Sequence, residues 1–228
     1  MIETVKINVL GSHHVTNCYI VYDKNTKDAL IIDPADNAKK IMDKIEELSI
    51  NPKYIALTHA HKDHTMALEE LQKNYNVKVI ASVLEKDMIE GRVSDCASAF
   101  GLEQQPFDTK DFIFLKDGES FKVGDLQIEL FFTPGHTRGS ACYWLKDENA
   151  MFTGDTLFLD SFGRTDLDSG DIYDMAASLL RLYDKFKGVY IYPGHGENNI
   201  KIEDTYEAVK DLIEQTAGIN LDEMRGVK

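Results

Sequence analysis

The sequence predicts an α+β fold in which two β-sheets pack face to face between outer layers of helices. Two observations predict this fold. Both halves of the chain run from short apolar strands into helices. In both halves, apolar strands end in polar loops that carry histidine, aspartate or glycine. Because rigid scaffolds present functional groups on loops at strand ends, we expect one site at the shared edge of the two sheets.

The first half of the chain contains strands rich in β-branched and apolar residues, with two helices between them. Residues 37–50 form a surface helix, because apolar residues recur there at helical spacing between charges. A second helix over 65–76 has Thr65 as its N-cap. The strands are predicted at 4–10, 17–23, 28–34, 53–58 and 77–82.

The second half begins after an irregular segment, residues 85–110, which we expect to be a helical excursion followed by a loop. Tight turns at Asp117-Gly118 and Gly124-Asp125 divide residues 112–133 into strands. The later strands are predicted at 140–147, 149–155 and 188–196, and the helices at 171–186 and 202–218.

Composition narrows the class of protein. The chain has 228 residues, of which 43% are apolar, and we expect a single domain over 1–228. The net charge of −14 argues against nucleic acid and anionic membranes, because both are bound mainly through Lys and Arg. The sequence has no secretory signal pattern and no apolar run of the ~18 residues that span a bilayer. Cys18, Cys96 and Cys142 are widely spaced, which indicates reduced, mostly buried thiols in a cytoplasmic protein.

Four short motifs carry groups that bind metal ions. Each follows an apolar strand and opens a polar loop, and the motifs read THAHKDH, TPGHT, FTGDTLF and YPGHG. Imidazole and carboxylate together suit zinc, iron or manganese. The seven candidate ligands are His59, His61, Asp63, His64, His136, Asp155 and His195.

The spacing within THAHKDH predicts two ions. If the loop is extended, His59 and His61 share a face, whereas Asp63 and His64 point elsewhere after a turn. One ion is then held by His59, His61 and His136, and the other by Asp63, His64 and His195, with Asp155 as a bridge. Each ion keeps an open position, as catalytic sites do. A structural site for a single metal is the alternative, and His13 and His14 are interpreted as structural or solvent-facing.

In this order, the four motifs resemble those of the metallo-β-lactamase-fold hydrolases, and the resemblance covers essentially the whole chain. It implies an αββα sandwich, with two mixed β-sheets flanked by helices and metals at the sheet edge. It also implies the same ligand assignment as the spacing. The longer run GDTLFLDSFGRTD is similar to the hydroxyacylglutathione hydrolase (glyoxalase II) group, especially its short bacterial members.

This resemblance implies a metal-dependent hydrolase that cleaves S-lactoylglutathione or a related small acyl thioester. The nucleophile would be a hydroxide that bridges two divalent ions, because metal coordination lowers the pKa of water from 15.7 to about 7. Asp63 would orient this nucleophile as well as bind metal. Zinc is the expected metal, with iron and manganese as alternatives. The expected partner is a small-molecule substrate, and a homo-oligomer is left open.

Departures from the family pattern concern the substrate. Glutathione-specific members carry an additional C-terminal helical domain, whereas about 30 residues with one clear helix follow His195 here. Those members have a lysine and a tyrosine where this chain has Arg164 and Asp166. Arg164 and Arg138 are candidates to bind a substrate carboxylate. The alternative for Arg164 is a structural pair with Asp166.

Other reactions on the same scaffold remain open. The segment GRTD also resembles persulfide dioxygenases, which use a single iron held by residues that match His59, His136 and Asp155. A lactonase or phosphodiesterase is a further alternative. The number of bound ions separates the dioxygenase from the hydrolases.

Overall fold

The computed structural model describes residues 1–226. Its strands form two sheets. The first sheet contains β1 (Ile2–Asn8), β2 (Val15–Tyr22), β3 (Asp28–Ile32), β4 (Asn51–Ala56), β5 (Lys78–Ser82) and β6 (Phe112–Leu115). The second sheet contains β7 (Ser120–Val123), β8 (Leu126–Phe132), β9 (Ala141–Leu145), β10 (Ala150–Gly154), β11 (Tyr190–Pro193) and β12 (Ile200–Lys201).

Both sheets are mixed, and in each the strands lie side by side in chain order. In the first sheet β1, β2 and β3 are antiparallel, whereas β3 to β6 are parallel. In the second sheet the parallel pair is β10 and β11. The carboxyl ends of neighbouring parallel strands meet at one edge of a sheet, where ligands usually bind in such folds. The chain leaves β4 toward His59 and β10 toward Asp155, so both sheets deliver polar side chains at such ends.

Seven helices accompany the sheets in the described part of the chain. They are α1 (Ala38–Leu48), α2 (Lys62–Thr65), α3 (Leu68–Tyr75), α4 (Lys86–Ile89), α5 (Ile172–Lys185), α6 (Tyr206–Ala217) and α7 (Leu221–Gly226). Short 3-10 turns lie between them, including one at Ala97–Phe100. Residues 85–110 therefore form a short helical excursion followed by turns and loop, as the sequence predicts.

Three apolar clusters define four layers. Between the sheets lie Tyr19, Leu30, Tyr143 and Phe152, all almost fully buried. The outer face of the first sheet packs against α1 and α3, and the outer face of the second against α5, α6 and α7. Ile41 of α1 is completely buried, and its substitution by alanine would lower the free energy of unfolding by about 2–5 kcal/mol. The arrangement is the predicted αββα sandwich.

Backbone hydrogen bonds join the two sheets at the edge where the motifs lie. The amide of Asn17, in β2, donates to the carbonyl of Gly194, which follows β11, at 2.7 Å. The hydroxyl of Tyr19 donates to the Pro193 carbonyl at 2.6 Å. The amide of Ala141, in β9, donates to the Thr58 carbonyl at 2.9 Å. We call these bonds the seam.

Two sequence predictions need correction. Thr65 is not an N-cap: it is the last residue of α2, and its hydroxyl donates to the His61 carbonyl at 3.3 Å. The helix predicted over 65–76 is α3, which begins at Leu68 after Ala67. The C-terminal region has two helices rather than one. The second, α7, begins after Asn220, whose side chain accepts from the amides of Asp222 and Glu223.

All three cysteines are free thiols, with Cys18 and Cys142 buried and Cys96 partly exposed. Between residues 1 and 226, no helix has both the length and the apolar character needed to cross a bilayer.

Candidate metal centre

The loop after β4 positions four of the seven candidate ligands. His59 and His61 lie in the stretch that connects β4 to α2, and His61 itself is extended, with φ −62° and ψ 148°. The chain then turns into α2, which carries Asp63 and His64. The change from extended to helical backbone separates the two pairs, so each pair faces a different partner across the edge.

The first ligand group consists of His59, His61 and His136. All three side chains are buried, and their ligand atoms lie within 4.8 Å of one another. Nδ1 of His61 is 2.9 Å from Nε2 of His136. The sequence predicted these three histidines around one ion, and the structure brings them together.

The second ligand group consists of Asp63, His64 and His195. Oδ2 of Asp63 lies 3.3 Å from Nε2 of His195 and 3.6 Å from Nε2 of His64. Nε2 of His64 and Nε2 of His195 are 3.3 Å apart. The sequence predicted this set around the other ion, and the structure places its members in contact.

Asp155 lies between the two ligand groups. Its Oδ2 is 3.6 Å from Nε2 of His136 in the first group and 3.4 Å from Nε2 of His195 in the second. Its Oδ1 is 3.5 Å from Nε2 of His64. The carboxylate therefore reaches both groups, as a bridging ligand must.

Hydrogen bonds on the outer side of the imidazoles orient four of the histidines. In each case Nδ1 has a partner away from the centre, which leaves Nε2 facing inward. The four contacts are His59 to Thr58 Oγ1 (3.1 Å), His64 to Asp33 Oδ2 (3.0 Å), His136 to the Arg164 carbonyl (2.7 Å) and His195 to the Val15 carbonyl (2.7 Å). Such outer partners fix the orientation of metal-binding histidines.

Unpartnered polar atoms test whether these residues fit metal ions. His61 turns Nδ1 toward Nε2 of His136. Nε2 of His59 and Oδ1 of Asp155 are buried without a hydrogen bond to any described residue. Each such atom costs about 1–3 kcal/mol if nothing satisfies it. A cluster of imidazoles and carboxylates, with lone pairs directed inward, is the donor set of zinc, iron or manganese. The His and Asp clusters therefore fit a dinuclear metal site.

The electrostatic surroundings of the two groups differ. Burial lowers the pKa of His59 well below its usual value and lowers the pKa of His61 to about 3. Burial also opposes the charged form of His64, but Asp63 and Asp155 outweigh it and raise the pKa to about 8. For His195, Asp155 and Asp63 outweigh burial and raise the pKa to about 11.

Two glycines permit the close packing of this edge. A Cβ on Gly194 would lie 2.3 Å from Oδ1 of Asp155 and 2.6 Å from Cε1 of His64. A Cβ on Gly163 would lie 2.0 Å from the Asp155 carbonyl oxygen and 2.9 Å from Nδ1 of His136. Any larger residue at either position would displace a candidate ligand.

Two buried carboxylates support the ligand loops, and the sequence reading did not single them out. Asp33 accepts from the Thr58 amide (2.8 Å) and hydroxyl (2.6 Å) and contacts His64. Glu85 accepts from the Ala60 amide at 2.8 Å and the Thr137 hydroxyl at 2.9 Å. Burial raises the pKa of Glu85 to about 7. The sequence signal for Asp33 is its place directly after an apolar strand, in DALIID. Glu85 lies three residues after the end of β5 and has no such signal.

His14 is the third group that the sequence did not connect with the site. Its side chain is 44% exposed, in line with the predicted solvent-facing role, yet Nε2 lies 2.8 Å from Oδ2 of Asp63. No pattern in GSHHVT signals this contact, because it depends on how the β1–β2 connection folds over α2.

The two candidate arginines lie outside the ligand groups. The Arg164 guanidinium forms a bidentate pair with Asp166, at 2.7 and 2.8 Å, and both side chains are exposed. This is the structural pair that the sequence offered as an alternative. Arg164 also lines a groove of about 630 Å³ with Phe162, Tyr173 and Leu212. Arg138 is exposed and borders a separate cavity of about 320 Å³.

The sequence profile of the metallo-β-lactamase superfamily matches residues 12–195, a span that contains all seven candidate ligands. The chain belongs to this superfamily. Both the resemblance seen in the four motifs and the predicted fold are thereby confirmed.

Curated relatives of this superfamily member include two bacterial hydrolases. A probable polyketide biosynthesis zinc-dependent hydrolase, BaeB of Bacillus velezensis, is 33% identical over 199 residues, which is 86% of this chain and 80% of BaeB. The hydroxyacylglutathione hydrolase GloC of Haemophilus influenzae is 33% identical over 181 residues, which is 79% of this chain and 85% of GloC. The protein is a metallo-hydrolase of the metallo-β-lactamase superfamily.

A solved structure with similar architecture is that of the B3 metallo-β-lactamase BLEG-1. It superposes with a TM-score of 0.79 at 28% identity, over 90% of this chain and 95% of BLEG-1.

Proposed function

We propose that this protein is a dinuclear metal-dependent hydrolase that cleaves a small acyl thioester such as S-lactoylglutathione. The observation that carries the proposal is the convergence of the two ligand groups on a shared Asp155. The thioester class is supported by the 33% identity to hydroxyacylglutathione hydrolase GloC and by the run GDTLFLDSFGRTD. Zinc is the proposed metal, because the donor set suits it and the relative BaeB is described as zinc-dependent.

When bound at the two ligand groups, divalent ions supply activated water at neutral pH and stabilise negative charge on a carbonyl oxygen. The chain's own residues supply the rest. Burial keeps His59 and His61 neutral, because their pKa values lie far below neutrality, so their lone pairs are free to bind. Asp63 places Oδ2 at the inner face of the second group, where it can accept a hydrogen bond from the attacking water and orient it.

The groove beside Arg164 is the proposed site for the remainder of the substrate. Its volume of about 630 Å³ falls within the usual range of small-molecule sites, ~300–1,000 Å³. None of the seven candidate ligands lines this groove. Its link to the centre is Arg164, whose backbone carbonyl lies 2.7 Å from Nδ1 of His136. Arg164 would bind a substrate carboxylate by exchanging Asp166 for it. Arg138 is the second candidate, at the rim of the other cavity.

The test combines metal analysis with three substrates. After anaerobic purification we expect two ions per chain and hydrolysis of S-lactoylglutathione that chelation abolishes and zinc restores. A chromogenic β-lactam and glutathione persulfide serve as comparison substrates. One iron per chain with oxygen uptake on the persulfide would replace this proposal by the dioxygenase alternative. Two ions with hydrolysis of the β-lactam alone would reject the thioester class.

A further inference from the structure

We propose that His14 is a positioning residue of the metal centre, which holds Asp63 in place for the second ion. Nothing in the superfamily motifs includes this residue, which precedes β2. The inference rests on the dinuclear centre proposed above and on no particular substrate.

The contact is made to the oxygen that faces the second ligand group. Nε2 of His14 lies 2.8 Å from Oδ2 of Asp63, a hydrogen-bond distance. The same oxygen lies 3.3 Å from Nε2 of His195 and 3.6 Å from Nε2 of His64. His14 therefore acts on the ligand atom itself and not on a remote part of the carboxylate.

Asp63 needs such support more than the histidines do. Four histidines have outer partners on Nδ1, as described above, and three of those partners are backbone or buried carboxylate oxygens. His14 is not one of the seven candidate ligands. Within residues 1–226, it is the residue outside that set whose side chain hydrogen-bonds to the Asp63 carboxylate. Without His14, the Asp63 carboxylate would keep its contacts to His195 and His64, which are themselves candidate ligands.

His14 is itself held in position, although its side chain is 44% exposed. Its ring contacts the ring of His195 edge to face, with centroids 4.8 Å apart, and the ring of Phe100 with centroids 5.6 Å apart. Its amide donates to the Ser12 hydroxyl at 3.0 Å. Its carbonyl accepts from the Val9 amide at 2.9 Å. These contacts hold the imidazole of His14 beside Asp63.

Phe100 connects the irregular middle segment, residues 85–110, to His14. It ends the turn at Ala97–Phe100 and packs against His14. The same segment is tied to the ligand loop, because the Lys62 amide donates to the Asp95 carbonyl at 2.8 Å. Residues 95–100 therefore hold both His14 and the start of α2, which carries Asp63.

The experiment measures the affinity for each of two zinc ions by competition with a chromogenic chelator. The variants are His14→Ala, His14→Gln and the control His13→Ala, which removes the neighbouring exposed histidine. Loss of an outer partner typically costs 10–100-fold in metal affinity. We expect His14→Ala to weaken the second ion by about this factor and to leave the first within about threefold. His14→Gln keeps an N–H donor and should restore most of the affinity.

Each other outcome counts against the role of His14. Equal affinities for both ions in His14→Ala and the wild type would overturn it. So would equal weakening of both ions, which would indicate a general loss of structure that thermal unfolding should also reveal. If His14→Gln is as weak as His14→Ala, the imidazole contacts the ion directly and the hydrogen-bond role is wrong. A wild-type protein that binds a single ion would overturn the dinuclear centre and this inference together.

Discussion

The two ligand groups present the same kind of nitrogen atom in opposite electrostatic surroundings. The first group is made of imidazoles alone, and burial drives the pKa of two of them, His59 and His61, below neutrality. The second group contains Asp63 and lies beside Asp155, and these carboxylates raise the pKa of both its histidines above neutrality. Burial decides the protonation of His59 and His61, and charge decides that of His64 and His195.

This difference indicates that two adjoining ligand groups need not bind their ions in the same way. Neutral imidazoles accept an ion without losing a proton, whereas charged imidazoles must first release one. The carboxylates that favour the protonated forms of His64 and His195 also attract a metal cation once those protons have left. His59 and His61 can therefore bind an ion at neutral pH without releasing a proton, whereas ion binding at the second group depends on pH.

The largest expected effect follows from removing the carboxylate of Asp155, which both ligand groups share. Asp155→Ala should lower kcat/KM for thioester hydrolysis by about 10³-fold, because the oxygens near His136 and His195 are lost together. Circular dichroism should show a retained fold. The exposed Asp160→Ala is the matched control. Full activity in Asp155→Ala would show that the two groups do not depend on a shared carboxylate.

The pH dependence of metal binding should differ between the groups. At neutral pH the second ion must displace protons from His64 and His195, since their pKa values are about 8 and about 11. Affinity for the second ion should therefore rise with pH, by up to about 100-fold per unit if about two protons leave. Titration calorimetry in buffers of different ionisation enthalpy measures the protons released at each step. Equal proton release for both ions would remove the contrast.

Asp33 supports the second group directly and the first only through Thr58. Asp33→Ala should weaken the second ion by about 10–100-fold, because His64 loses its outer partner. The first ion should weaken less, since the Thr58 hydroxyl still contacts His59. Chelator competition checks both values, with the exposed Asp43→Ala on α1 as control. A larger loss at the first ion would reverse this assignment.

Glu85 should support the first ligand group more than the second. It bonds to Ala60, between two ligands of the first group, and to Thr137, next to the third. Glu85→Ala should weaken the first ion by about tenfold. It should also lower the melting temperature, since each buried donor left unpaired costs about 1–3 kcal/mol. Asp87→Ala, exposed on the same segment, should change neither quantity. A selective loss of the second ion would contradict this view.

The smallest effect is expected at Arg164. Its backbone carbonyl orients His136, whereas its exposed side chain pairs with Asp166. Arg164→Ala should leave both zinc affinities within about twofold, because exposed ion pairs contribute little. The KM for a substrate that carries a carboxylate should rise if the guanidinium binds it. A loss of zinc in this variant would show that the side chain, and not the carbonyl, supports the first group.

Much of this centre could be predicted from the sequence, because its ligands belong to motifs that follow apolar strands. The layered fold follows from alternating strands and helices, and strand ends of both sheets then share one edge. The turn after His61 was also visible in the spacing of THAHKDH. These features depend on local patterns and on general rules of sheet topology.

The supporting residues could not be predicted in the same way. Asp33, Glu85 and His14 act through contacts between segments far apart in the chain, and no spacing within one segment reveals them. The local signal was also wrong at Thr65, which has the residue type of an N-cap but ends the short helix α2, whereas α3 begins at Leu68. Tertiary packing determined the outcome at all of these positions.

The seam has a consequence for how long an ion stays bound. Because the amides of Asn17 and Ala141 donate across the two sheets beside the ligands, the sheets cannot separate at this edge while those bonds persist. Local opening is then confined to the far side of the sandwich, and these two amides should exchange with deuterium only when the whole molecule unfolds. Release of an ion would thus be limited by the breaking of its bonds to the ligands and not by separation of the two sheets.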